Sequence, residues 1–341
     1  MKKLICTVLV FTAVLGALSG CKSDNTKYSD YSFDYFDTVT TIVGYENSKE
    51  EFDGKCREIK SELEKYHKLY DIYNSYDGIN NLYSVNSLAD GKHTEVEVDR
   101  KIIDLLEYSV KMYSLTDKKL NIAMGSVLKI WHDYRNEGKA VPNIEILSNA
   151  NSHTAIENII INKERNTVYL ADDKMFLDVG AVAKGYAVEQ VAQWMREKGY
   201  YGYILNVGGN VCTVGERKDG KNWEIAVEDP QNTENYTELL KIGGDKSLVT
   251  SGSYQRFYTV DGKDYHHIID TKTLMPADYF LSVTVLCEHS ALADALSTAL
   301  FCMSYEDGIE ILKNFDGAEA MWIDTNGTKY YTKGFKNYIK N

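Results

Sequence analysis

Apolar positions recur every three to four residues over 50–70, where Phe52, Cys56, Ile59, Leu63, Tyr66 and Tyr70 form one stripe. That spacing predicts an amphipathic helix with this stripe turned to the core. A second helix is expected over 99–113, with Ile102, Leu105, Leu106, Val110 and Tyr113 near one face, and a third after Gly185, with Val188, Val191 and Met195. The 291–302 segment, ALADALSTALFC, reads as a largely buried helix whose strongly polar positions are Asp294, Ser297 and Thr298. Strand patterns are shorter: 39–45 is β-branched, 223–227 alternates, and 281–287 is another run. Hairpins are expected for 159–162 with 167–170 over KERN, for 256–260 with 265–269 over DGKD, and for 320–324 with 328–332 over an Asn-Gly turn. Hairpins outnumber strand–helix–strand units. The expected class is therefore α+β, with helices packed on mainly antiparallel sheets.

Several stretches resist this reading. Residues 71–86, DIYNSYDGINNLYSVN, are rich in Tyr and Asn and read as a loop with aromatic surface; 117–131 carries no clear turn signal. Residues 204–210, ILNVGGN, look like a strand ending in paired glycines, which would serve either a ligand or a tight turn. GERKDGKN, 215–222, falls one residue short of a Walker A pattern because Asn222 replaces Ser or Thr, and it lies between two strands. It is read as a polar hairpin, and a P-loop is rejected.

The first twenty residues combine Lys2 and Lys3 with an apolar run too short for a normal transmembrane helix, followed by Leu18-Ser19-Gly20-Cys21. This reads as a bacterial secretory signal with a lipobox-like ending, implying cleavage before a lipid-bearing Cys21. Residues 21–35 are polar and are expected to be a flexible tether, leaving 36–341 as one compact domain. Removing the two lysines of the signal takes the formal charge from −12 to −14. That acidity argues against nucleic acid as a partner and against broad electrostatic adhesion to a membrane, leaving the lipid as the anchor. Cys56, Cys212, Cys287 and Cys302 show no CxxC spacing and sit in apolar contexts, as expected of buried thiols.

Candidate chemistry centres on 177–190, LDVGAVAKGYAVEQ. An apolar lead-in, glycines at 180 and 185 around Lys184, and a helix start would together present backbone N–H groups and positive charge to an anion such as phosphate. Simple turn geometry accounts for the same residues. Asp294 and Thr298 are four apart, so a helix sets both on one face. They would suit a hard cation such as Mg²⁺ together with a backbone carbonyl and phosphate oxygens; on spacing alone, a back-bonded threonine and a lysine-paired aspartate fit slightly better. If 265–269 is a strand, His266 and His267 face opposite ways and only one can serve a site.

LDVGAVAKGYAVEQ, NVGGN, TSGSYQR, HHIID and ADALSTALF, in this order, resemble the FAD:protein FMN transferase family, the ApbE-like flavin transferases, and DIYNSYDGINNLYSVN is similar to the family's substrate-proximal segment. The resemblance runs from about Phe36 to the C-terminus. It implies a T-fold-like domain that binds FAD and Mg²⁺ and attaches FMN through its phosphate to a threonine of a partner protein, releasing AMP. Carried over, Asp294, Thr298 and the Ala181 carbonyl would hold Mg²⁺; Asp178, Lys184 and the Ile268 backbone would contact FAD; Phe36, Tyr73 and Lys119, Leu120 and Asn121 would line the flavin and adenine pockets. His267 would be the general base for the acceptor hydroxyl. The acceptor would be an extracytoplasmic electron-transfer protein at the membrane. An FAD pyrophosphatase and a non-catalytic flavin-binding lipoprotein are the alternatives. The sequence departs from the family pattern HIIDPxTG, with Thr271 for the proline and Leu274 for the glycine; Asn121 stands where Asp is usual and Ala123 where Thr is common.

Overall fold

The computed structural model describes residues 25–87 and 94–340, so the expected signal peptide and Cys21 lie outside the described residues. Strands β1 (Thr26–Tyr35) and β2 (Thr38–Glu46) form an antiparallel hairpin. Its turn is Phe36-Asp37, with φ of 52° and 50°, the left-handed pair that a tight hairpin requires. The segment expected to be a tether is thus, from Thr26 onward, an edge strand. Its side chains bury little, but its ladder to β2 satisfies the backbone, Tyr28 packs against Phe52 with ring centroids 5.5 Å apart, and Asp30 pairs with Lys60 at 2.7 Å. Tyrosine suits such a half-buried pleat, and a polar composition hides this from a reading based on burial.

Helix α1 (Lys49–Tyr70), capped by Ser48, carries the expected stripe, and α2 (Leu82–Ser87) falls within the stretch expected to be a loop. After β3 (Val96–Glu97) comes α3 (Arg100–Leu115), capped by Asp99. The unreadable 117–131 stretch is a turn leading into α4 (Gly125–Glu137), and α5 (Ile144–Asn151) follows. β4 (Ile159–Asn162) and β5 (Thr167–Leu170) pair as expected. Helix α6 (Ala183–Glu197) starts after an irregular lead-in where a strand was expected; Phe176 makes a single bridge to Met124.

β6 (Tyr203–Val207) and β7 (Asn210–Val214) turn at Gly208-Gly209, both at positive φ. β8 (Trp223–Glu228) pairs with β9 (Tyr236–Ile242) in a separate ribbon, so residues 215–222 join two sheets and do not form the expected hairpin. The chain continues through β10 (Ser247–Gly252), β11 (Phe257–Val260), β12 (Lys263–His266), β13 (Phe280–Cys287), α7 (Ser290–Phe301), α8 (Tyr305–Leu312), β14 (Glu319–Asp324) and β15 (Lys329–Tyr331).

Eight strands build the main antiparallel sheet in the order β1-β2-β6-β7-β10-β13-β14-β15. Alternation along each strand feeds two cores: Ile42, Val249, Val283, Val285 and Trp322 face α1, α6 and α7, whereas Tyr45, Leu248, Leu286, Met321 and Ile323 face the β8–β9 ribbon. The class is α+β, as expected. A third, smaller core joins α4 and α5 to the β11–β12 hairpin through Val127, Trp131, Leu147, Tyr258 and Leu274.

Leu274 has φ of +61°, the left-handed region that favours glycine, and stands where the family pattern carries one. The turn survives because Leu274 N–H donates to the Asp270 carbonyl at 2.9 Å, the Trp131 indole donates to the Leu274 carbonyl at 2.9 Å, and the side chain, 5% exposed, fills the third core. Leu274→Gly would relieve about 1 kcal/mol of backbone strain but forfeit about 2–3 kcal/mol of buried leucine, so a net loss of stability is expected. Urea unfolding checks this; a stabilised variant would show that strain outweighs packing.

Candidate active site

The 177–185 segment is pinned from both sides. Asn86 donates to the Leu177 carbonyl at 3.0 Å and accepts from its N–H at 2.8 Å, and Asp178 N–H donates to the Ile122 carbonyl at 2.9 Å. Asp178 Oδ1 accepts from Gly180 N–H at 2.8 Å, closing a tight turn that aims the following peptides at the start of α6. Among the described residues the Ala181 carbonyl accepts no backbone hydrogen bond, and Lys184 Nζ touches only the Gly180 carbonyl, at 3.4 Å.

Gly185 is where α6 meets α7. A Cβ there would lie 2.3 Å from Asp294 Cβ and 2.6 Å from the Ser290 carbonyl, so only glycine permits the approach. The gain is a bond of 2.7 Å from Gly185 N–H to Asp294 Oδ2. Asp294 is 4% exposed. Burial pushes its carboxyl above the usual range, while the Lys184 charge, the Gly185 N–H and the Asn210 side chain pull the other way. Asp178 is raised too, by burial, against the Gly180 N–H and the charges of His132, Lys184 and Arg135. One turn beyond Asp294, Thr298 Oγ1 lies 3.2 Å from Ser251 Oγ. Asn210 Oδ1 is buried without a hydrogen-bond partner, on an amide whose N–H side faces this carboxylate.

These are hard oxygen donors, and a costly buried carboxylate next to an orphaned amide oxygen fits a small divalent cation. Among the described residues no group of three or more His, Cys, Asp or Glu could hold a metal by itself. Any cation here would depend on the one carboxylate together with hydroxyl, carbonyl and substrate oxygens; Mg²⁺ is commonly held in this way, by one or two carboxylates with waters and substrate phosphates.

Strand β12 ends at His266, and the two histidines diverge as expected. His266 Nε2 donates to the Ala277 carbonyl at 2.8 Å, its Nδ1 accepts from Ile268 N–H at 3.2 Å, and its ring meets Phe301 edge-on. It is a packing residue. His267 Nδ1 lies 3.2 Å from the Arg256 carbonyl. Since a carbonyl only accepts, Nδ1 carries the hydrogen and Nε2 keeps its lone pair. Burial first, then the Arg256 charge, pushes the His267 pKa down to about 3, so the ring is neutral at physiological pH.

The other expected pocket residues divide. Tyr73 is 53% exposed, anchored by its N–H to Asp71 Oδ1 at 2.7 Å, with its ring 5.5 Å from that of His132; burial of its hydroxyl, and then the Asp178 charge, raise its pKa to about 12. Phe36 N–H donates to His67 Nδ1 at 3.2 Å. Lys119 reaches buried Asp270 at 3.2 Å, and Asp270 in turn accepts from Lys272 N–H at 2.7 Å, so this pair braces the turn after His267. Leu120 is in the core, and Asn121 donates to the Thr154 carbonyl and accepts from Ala123 N–H. The Ile268 carbonyl accepts from Ala277 N–H, and the Ile268 N–H is held by His266. Asp178, Lys184, Asp294, Thr298, His267 and Tyr73 therefore gather at one site, whereas the Leu120 side chain does not reach it. Sequence reasoning passed over Asn210, Ser251, His132, Arg135 and Arg256. The first two and Arg256 lie in motifs it quoted; His132 and Arg135 lie on α4, a helix it did not read.

The ApbE family model matches residues 36–322. An FAD:protein FMN transferase of Haemophilus influenzae is 26% identical over 96% of this chain and 94% of its own length, and one of Klebsiella pneumoniae is 32% identical over 70% and 73%. Among solved structures, the ApbE protein of Thermotoga maritima is 26% identical and superposes with a TM-score of 0.81 over 93% of this chain and 100% of its own. The flavin transferase ApbE of Vibrio cholerae shares the fold, with a TM-score of 0.75 at 23% identity over 92% and 99%. With the family model spanning most of the chain and relatives matched along nearly its whole length, this protein belongs to the ApbE family.

Proposed function

We propose that this chain transfers FMN from FAD to a threonine hydroxyl of a partner protein and releases AMP. The carrying observation is the buried Asp294, fixed by Gly185 N–H beside Lys184, in the same site as a neutral His267 whose Nε2 is free to take a proton. Asp294, Thr298 and the Ala181 carbonyl would hold Mg²⁺, which when bound would offset the charge of the pyrophosphate. Lys184, at the N-terminal end of α6, adds fixed positive charge to the same group. His267 Nε2 accepts the threonine proton as the threonine oxygen bonds to the FMN phosphorus; the bond from that phosphorus to the bridging oxygen breaks, and AMP leaves with the electron pair. The Arg256 carbonyl keeps the ring in the tautomer this step requires.

The test is incubation of the chain from residue 22 with FAD, Mg²⁺ and a threonine-bearing acceptor from the same membrane, following in-gel flavin fluorescence and AMP together. Labelling abolished by EDTA supports the reading. AMP without labelling of any acceptor favours a pyrophosphatase, and FAD binding with neither product favours a flavin-binding protein.

We further propose that the lipobox-like Leu18-Ser19-Gly20-Cys21 places the chain on the extracytoplasmic face of the membrane through a lipid on Cys21. Among the described residues no helix is long and apolar enough to cross a membrane. Cys21→Ala is expected to shift the protein from the detergent phase to the aqueous phase on Triton X-114 partitioning; unchanged partitioning would refute the anchor.

A further inference from the structure

We propose that Arg135 and Arg256 form a paired-guanidinium subsite that grips the phosphoanhydride of the substrate beside His267. This rests on the proposed function and adds two residues to it. Arg135 lies on α4 and donates from Nη2 to His132 Nδ1 at 3.0 Å; Arg256 follows β10 and reaches from Nη2 to the Asp37 carbonyl at 3.4 Å, in the β1–β2 turn. The two come from separate parts of the chain that the third core brings together: Trp131, one turn before Arg135 on α4, packs in it with Tyr258, two residues after Arg256 on β11, and the Tyr258 hydroxyl donates to the Ala140 carbonyl at 3.1 Å. Burial lowers the pKa of Arg135, and the neighbouring Arg256 charge lowers it further.

Among the described residues neither guanidinium forms an ion pair with a carboxylate, although the chain carries 50 acidic residues against 38 basic ones. Asp178 is the carboxylate whose charge both Arg135 and Tyr73 sense, and its hydrogen bond goes to Gly180 N–H. Two like charges held close, one of them partly desolvated, cost energy that an anion between them would recover. A guanidinium presents its N–H groups in a planar fork matched to phosphate oxygens.

The surroundings agree with this occupant. Tyr73 and His132 make an aromatic wall next to Arg135, their rings inclined by 30°. His132 accepts from Arg135 at Nδ1, so it is neutral; its pKa is lowered by burial and then by the Arg135 charge, and it adds no positive charge of its own. The main chain of Arg256 orients His267 while its side chain turns toward Asp37, so one residue links the anion subsite to the base. An anhydride gripped there is held next to the group that takes the acceptor proton.

Calorimetric titration without metal tests the subsite, using ADP, inorganic pyrophosphate and adenosine on the parent chain and on Arg135→Met, Arg256→Met and Arg256→Lys. Each methionine variant is expected to weaken ADP and pyrophosphate by about tenfold or more, with adenosine within about twofold; the lysine variant should fall between. Thermal melts of the same samples confirm folding. ADP binding unchanged in both methionine variants, adenosine weakened as much as ADP, or no ADP binding by the parent would overturn the inference. FMN transfer by the parent is assayed alongside: its absence with the expected ADP pattern would sink the proposed function and leave the subsite standing.

Discussion

Asp294→Asn is expected to lose Mg²⁺-dependent flavin transfer by about a thousandfold or more while folding as well as the parent chain. Asparagine keeps the volume, and its carbonyl oxygen can accept the Gly185 N–H that Oδ2 accepts now, so the contact between α6 and α7 is preserved. The charge is what disappears. Burial already raises the Asp294 carboxyl above its ordinary range, so the charge is held at a cost and the neutral amide spares the fold that cost. The amide nitrogen would meanwhile point a donor where a cation needs an acceptor. Two readouts separate these effects: in-gel flavin fluorescence for transfer, and melting temperature with and without Mg²⁺. The parent should be stabilised by Mg²⁺ with FAD and the variant should not. Retention of Mg²⁺-dependent transfer by Asp294→Asn would remove Asp294 from the cation site.

His267→Gln should lower kcat by about a hundredfold to ten-thousandfold with little change in FAD affinity, because the ring acts on the acceptor proton and not on the dinucleotide. The pH dependence gives a second handle. With its pKa near 3 in the fold, under burial and the charges of Arg256 and Lys184 beside His266, the ring is neutral well below the ordinary histidine range. The acid limb of kcat/KM that belongs to the free enzyme should therefore lie far below pH 6.5, not near it. The sign for stability follows from the same depression. The unfolded chain binds this proton at about pH 6.5 and the folded chain only near pH 3, so the contribution is complete above pH 6.5 and is lost as the pH falls between those values. Glutamine does not titrate, and the variant should lose less stability than the parent between pH 6.5 and 4 even as it loses activity. Equal acid sensitivity of the two proteins would show that His267 is not held neutral by the fold, and near-normal kcat would dismiss it as the base.

The long helices were legible because their apolar stripes bury against the main sheet, as Phe52, Cys56, Ile59 and Leu63 do. Asp294 and Thr298 were legible as a pair because helical spacing alone puts them one turn apart. What makes Asp294 costly and useful, the Gly185 N–H and the Asn210 amide, comes from elements 80 to 110 residues away in sequence, and no local period encodes it. Helix α4 escaped because its stripe is short, Val127 and Trp131 packing into the small third core, and with it went His132 and Arg135. Arg256 was visible only as the end of TSGSYQR and the start of a hairpin strand; the carbonyl with which it orients His267 is a group every residue carries, and its side chain comes near α4 only in the folded chain. The link from β7 to β8 misled because a polar, glycine-bearing run between two strands looks the same whether the strands pair with each other or with others.

Strand β1 sets a limit of another kind. It begins at Thr26 and is hydrogen-bonded to β2 from that residue on, so only residues 22–25 separate the folded body from the proposed lipid on Cys21. Fully extended, that leash spans about 18 Å. A protein tied so closely by the proposed lipid would not sweep the space above the membrane in search of acceptors. With that lipid in place, its encounters would be confined to a thin layer at the bilayer surface, where the search is two-dimensional and the effective concentration of membrane-held acceptors is high.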